Sequence, residues 1–203
     1  MPIPSGISEE DCYKWRTTSH VGSFSTAKTW DVLRPRAEVQ SWAKSIWFKG
    51  ATPKHAFSMW ITHLNRLPTR VRLASWGMSI NTNCCLCSNS LETRDHLLIS
   101  CQFASAIWLE VSRRFRRNHP MFSNWTELMS WATISDFAPA TLKMLVVEAV
   151  IYSIWKQRNN MVFNNRLVPP MVVFKDINRQ VINSIHARRK RKTFRNLMSK
   201  WLI

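Results

Sequence analysis

The run NCCLCSNSLETRDHLLISC, residues 83–101, constrains this chain more than any other stretch. Cys84 and Cys87 are separated by two residues, and His96 and Cys101 follow a short polar loop. The first pair is a tight hook that brings two sulfurs to one ion. A helical turn over 95–101 would bring the imidazole and the third sulfur close enough to complete the shell. Zn²⁺ favours such a tetrahedral set, with sulfur at about 2.3 Å and nitrogen at about 2.0 Å. With all four positions filled by protein there is no vacancy for water, so the site reads as structural. Cys85 leaves a choice open, since it could replace Cys84 with only one residue between it and Cys87. The competing reading is a group of small buried cysteines with His96 as a core or surface imidazole.

The elements around this run read as helices. Four glycines in 203 residues argue against Gly-rich sandwiches, propellers and nucleotide-binding loops. Ser25 precedes apolar residues at helical spacing, which predicts a helix near 26–34, and Val39, Trp42, Ile46 and Trp47 suggest another ending before Gly50. Pro53 suits a first helical turn leading to Phe57, Trp60, Ile61 and Leu64, and Thr69 could cap a helix that stops at Gly77. Beyond the cysteines, helices are expected near 102–117, ended by Pro120, and near 124–133. A long run follows Pro139 to Val162–Phe163, and an amphipathic helix after Pro169–Pro170 runs out into a charged tail. A hairpin near residues 10–25, with a strand around Cys12–Trp15, is the one β element expected. The fold class is therefore mainly α, an irregular helical domain with a zinc-stapled loop. The expected divisions are an N-terminal segment 1–23, a helical zinc-binding domain 24–117, a helical extension 118–168, and an amphipathic helix with basic tail 169–203.

Five cysteines, three of them within 84–87, make a poor disulfide framework and suit an intracellular metal site. No apolar run approaches a membrane span, and Glu9, Glu10 and Asp11 stand where a signal peptide would be apolar, so no membrane partner is expected. The formal charge of +17 draws polyanions. Its densest source is Arg188, Arg189, Lys190, Arg191, Lys192 and Arg195. Residues 175–203 hold nine Lys/Arg against Asp176 alone. Such a tail can bind phosphates with little regard to sequence, and it has the composition of a nuclear localisation signal. Arg113, Arg114, Arg116 and Arg117 form a second cluster at a helix end, and Lys54, His55, Arg66, Arg70 and Arg72 could line a basic groove by the zinc loop. Solvated faces are the plainer reading of the tail and of the second cluster, and half of the groove residues could simply cap or flank helices 53–64 and 70–76.

The aromatic residues read mostly as core. Trp30, Trp42, Trp47, Trp60, Trp76, Trp108 and Trp155 fall on apolar helical faces, whereas Trp201 and Phe194, set among basic residues, fit base stacking.

The segments YKW…GSFSTAKTWDVLR, SIWFKGATPKHAFSMWITHLNRLPTRVRLASWG, CCLC…ETRDHLLISCQFASAIW and, more loosely, IWKQRNNMVF resemble one known module. It is the zinc-binding domain found downstream of the reverse transcriptase in plant non-LTR (LINE-like) retroelements and in short plant proteins derived from them. The resemblance runs from about Tyr13 to Phe163, and it implies Cys84, Cys87, His96 and Cys101 as metal ligands. It also implies an accessory role beside a polymerase. The polymerase's own aspartate-rich motif is absent, and the 40 residues after Phe163 hold one acidic side chain, too few for a two-metal site. Neither HExxH nor G-x-S-x-G occurs. The chain is thus expected to be a non-enzymatic fragment with structural Zn²⁺ and no small-molecule substrate. Its expected partner is RNA or DNA, with a protein partner or a vestigial structural role as the alternative.

Overall fold

A computed structural model of the chain describes residues 14–16, 21–34, 37–116 and 122–202. Cys12, Arg117 and Pro120, which entered the expectations above, lie outside the described residues. The chain divides into two units, residues 1–40 and 41–203.

In the first unit, β1 (Trp15–Arg16) pairs antiparallel with β2 (Val21–Gly22), placing Trp15 opposite Gly22 and Arg16 opposite Val21. Helix α1 (Thr26–Leu33) follows, and the Ser25 hydroxyl accepts from the Lys28 N–H to cap it. No residue of α1 is buried, so Trp30 is not the core residue its spacing suggested.

The second unit opens with the short α2 (Ala43–Ile46), which ends at Trp47, where the backbone leaves helical geometry (φ −99°, ψ 42°). Then come α3 (Pro53–His63), with Pro53 in its first turn, and α4 (Arg70–Ser75). After the cysteine-rich segment, α5 (Gln102–Arg114) and α6 (Trp125–Thr133) lead to α7 (Ala140–Asn164) and α8 (Pro170–Ala187). Asn124 and Glu127 cap α6 reciprocally: Asn124 Oδ1 accepts from the Glu127 N–H, while Glu127 Oε2 accepts from the Ser123 N–H.

Helix α7 is the hub. Its pattern predicts one apolar face, but every residue from 142 to 151 is buried, because α3, α6 and α8 all pack around it. Two ionisable side chains lie inside this core, and they are held differently. Lys143 Nζ lies 2.8 Å from Asp136 Oδ1 and sits over the Trp131 ring. Glu148 is buried without a salt bridge, and burial pushes its carboxyl up to about 8.

The charged tail is part of the core rather than an extension from it. Beyond α8 the chain makes a 3₁₀ turn (Lys192–Phe194) and a last helix, α9 (Leu197–Trp201). Phe194, Leu197 and Trp201 are buried, and Trp201 Nε1 donates to Asn178 Oδ1 at 2.8 Å. Phe194 and Trp201 therefore cannot stack on bases, contrary to the sequence reading. Their spacing of three and four puts all three apolar side chains on one face, and burial of that face outweighs the solvation of the cations beside it. Gly50 shows how close the packing is. Its φ of +138° and the Phe194 ring against its α-carbon both exclude a side chain there.

Candidate metal centre

Four side chains converge on one point of the second unit. The Sγ atoms of Cys84, Cys87 and Cys101 and a ring nitrogen of His96 all lie within 4.8 Å of one another. Cys84 Sγ is 3.8 Å from Cys101 Sγ, and Cys87 Sγ is 3.2 Å from His96 Nε2. Ligands at ordinary zinc bond lengths on tetrahedral corners stand about 3.5–3.8 Å apart, so these edges fit one small ion. Three sulfurs and one imidazole nitrogen form a set suited to a soft or borderline metal.

Local backbone geometry builds each half. Asn83 and Leu91 form an isolated antiparallel bridge, and the Cys84 N–H donates to Ser90 O at 2.7 Å. Between them the Ser88 N–H donates back to Cys84 O at 2.8 Å, and Ser88 takes a left-handed φ of 60°. This closes the knuckle and turns both sulfurs inward. The second half is a single π-helical turn, His96–Ser100, ended by a Cys101 N–H to His96 O bond of 2.7 Å. The wider turn sets His96 and Cys101 on the same side, where a regular α-turn would not align them. Ser100 Oγ lies 3.5 Å from His96 Nδ1, on the ring nitrogen opposite the cluster, as a hydroxyl that orients a ligand would.

The electrostatics favour negative charge here. A hydrogen bond from Cys101 holds the Cys84 thiol down to about 5, against the effect of burial, with the Leu86 and Cys87 N–H groups assisting. Cys101 is pushed up by that shared bond, by burial and by the charge on Cys84, so the pair keeps one proton between them. The Phe103 and Ala104 N–H groups at the start of α5 face Cys101 and oppose the rise. A cation could displace that proton and hold both sulfurs as thiolates.

Cys85 stands apart from the cluster. Its Sγ approaches Arg158 O at 3.9 Å, and its thiol is pushed up to about 12, first by burial and then by the Glu92 carboxylate.

The sequence reading missed the groups that hold the knuckle in place. Glu92 and Arg158 are both buried and paired at 2.9 Å. Glu92 Oε1 accepts from Arg158 Nε and Nη2 and from the Arg70 N–H, so Glu92, not the Thr69 side chain, caps α4. Its Oε2 accepts from the Cys85 N–H at 3.3 Å. Arg158 also donates to Pro68 O at 3.1 Å and lies over the Trp155 ring. One ion pair thus ties α7, α4 and the metal loop together. The only sequence signal was an acidic residue inside the cysteine-rich run and an arginine in IWKQRNNMVF, 66 positions later.

The predicted basic surfaces divide. Arg189, Lys190, Arg191, Lys192 and Arg195 are exposed, and Arg188 is half-buried and donates to Ser184 O. In the groove proposed beside the zinc loop, His55 is buried against Tyr152, with burial and then Lys54 bringing its pKa down to about 4. It cannot meet a ligand. Arg70 and Arg72 donate to the carbonyls of Asn83 and Asn65, which leaves Lys54 and Arg66 as the exposed cations of that set, Lys54 with its Nζ 5.0 Å from the Tyr152 ring centroid. Trp108 is core, as expected, whereas Trp47 and Trp76 are half exposed or more.

Residues 24–108 match a protein-family model described as zinc-binding in reverse transcriptase. The matched stretch contains all four converging residues. Modules of this kind are accessory metal-binding elements and not catalysts themselves. Neither the curated proteins nor the solved structures contain a match to the chain. Among the described residues, no helix is long and apolar enough to cross a membrane.

Proposed function

We propose that the chain is an accessory module, derived from a plant non-LTR retroelement, that is stapled by one structural Zn²⁺ on Cys84, Cys87, His96 and Cys101. The convergence of these four donor atoms within 4.8 Å carries the reading. When bound, the ion supplies a cross-link between the knuckle at 84–90 and the turn at 96–101. The protein groups around it do the rest: Ser100 orients the imidazole, and the N-terminus of α5 favours the Cys101 thiolate. Metal analysis of the purified chain tests the ligand set. Cys84→Ala is expected to lose the ion, while Cys85→Ala keeps about one zinc per chain, because the Cys85 sulfur lies outside the cluster. The reverse pattern would exchange the two cysteines.

The module contacts RNA or DNA through phosphates, without base specificity. Support comes from the exposed ridge of Arg189, Lys190, Arg191, Lys192 and Arg195, held on a folded turn by buried Phe194. The same run could direct the chain to the nucleus. Deleting the tail is an unsuitable test, since it would remove Phe194, Leu197 and Trp201 from the core. Changing Arg189, Lys190, Arg191 and Lys192 to Gln leaves the core intact. Affinity for single-stranded nucleic acid is then expected to lose about 3 from its log–log salt slope, at about 0.7 per phosphate contact. An unchanged slope would remove the tail from the interface.

A protein-interaction role is the second reading. It is favoured by a cavity of about 590 Å³ lined mostly by apolar side chains, among them Leu73, Met78, Ile80 and Phe163.

A further inference from the structure

Helix α3 carries an aromatic face that the core does not use. Phe57 and Trp60 are three residues apart, so they lie on one side of the helix, with ring centroids 5.8 Å apart. Trp47, from the end of α2, adds a third ring 6.3 Å from Trp60. Trp47 is 50% and Phe57 54% exposed, while Trp60 is half-buried and anchors the group to the core. Large rings held at such exposure need a reason, because burial of each would be favourable.

The surrounding charge indicates the occupant. From Val39 to Leu91 the sequence contains no Asp or Glu, and three exposed lysines flank the rings along the chain: Lys44 and Lys54 stand three residues before Trp47 and Phe57, and Lys49 two after Trp47. A face built for an apolar protein partner would have no need of an acid-free, lysine-flanked setting. Exposed π-faces beside cations are the requirements of single-stranded nucleic acid binding, where bases stack and phosphates are neutralised. A duplex hides its base faces and could not use the rings.

We propose that Trp47 and Phe57 form a base-stacking platform for single-stranded RNA or DNA, with Lys44, Lys49 and Lys54 meeting the phosphates. This rests on the nucleic-acid reading above and adds to it a second contact surface and a preference for unpaired strands. The strand runs over α2 and α3, and the basic ridge at 189–195 lies close by, since Phe194 packs against Gly50, next to Lys49.

The test compares an oligothymidylate with an abasic strand of the same length at low salt. The full chain is expected to bind the base-bearing strand more tightly. The Trp47→Ala/Phe57→Ala variant loses roughly five- to a hundredfold per ring for the oligothymidylate and nothing for the abasic strand. Its salt slope stays unchanged, because no cation has been removed. A Trp47→Leu/Phe57→Leu variant keeps apolar bulk without a π-face and shows the same loss, with zinc content and thermal midpoint confirming its fold. Equal affinity of the full chain for the two strands, or a Trp47→Leu/Phe57→Leu variant that binds as tightly as the original, overturns the platform while the phosphate reading stands. Absence of binding to either strand overturns both.

Discussion

Stripping the metal from the purified chain is expected to lower its thermal midpoint by about 10 °C or more, with the loss centred on residues 84–101. The reason lies in what would remain. Four donors converge from two local turns, and neither turn is a stable element alone: one is a knuckle with a left-handed Ser88, the other a single π-turn. With the ion gone, three sulfurs face one another at close range, with one proton shared between Cys84 and Cys101. Binding free energy at such a site is folding free energy, on the order of 10 kcal/mol for isolated zinc-binding peptides. A larger core softens that loss, since Leu97, Leu98 and Ile99 are buried and hold the turn from behind. A net loss of about 4 kcal/mol corresponds to roughly 10 °C in a chain of this size. Calorimetry before and after chelation, with zinc added back, checks it. A midpoint that does not move on chelation would mean that the segment is held by packing alone.

The second large effect is expected at Glu92. Glu92→Gln should destabilise the chain by about 3–5 kcal/mol, because it leaves the Arg158 guanidinium charged and buried without its counter-ion. The same change weakens the cap on α4 and loosens the Cys85 N–H contact beside Cys84. Metal affinity should therefore fall together with stability. Arg158→Met alone should be comparably damaging, while the Glu92→Gln/Arg158→Met double variant should cost clearly less than the sum of the two. Urea denaturation of the four proteins gives the coupling. Additive losses would show that the two groups act separately, in conflict with the 2.9 Å pair.

The contrast between these two features shows where sequence reasoning reaches. Cys84, Cys87, His96 and Cys101 lie within 18 positions, so spacing and ligand chemistry are enough to group them. The helices were legible for a similar reason, since the Ser25 cap and breaks such as Pro169–Pro170 act locally. Glu92 and Arg158 meet only because α7 packs behind the metal loop, and no local pattern announces that. The tail was misjudged because its cations dominate the composition. The spacing of Phe194, Leu197 and Trp201 held the opposite signal in the same residues. Periodicity also put Trp47 and Trp76 on core-facing sides, whereas both are half exposed or more.

The most direct test of the metal centre is X-ray absorption at the zinc edge on the purified chain, with metal content measured on the same sample. The account predicts one zinc per chain, with three sulfurs at about 2.3 Å and one nitrogen at about 2.0 Å. Changing His96 to Ala should replace that nitrogen or empty the site. Substoichiometric metal, or a shell of oxygen and nitrogen without sulfur, would contradict it.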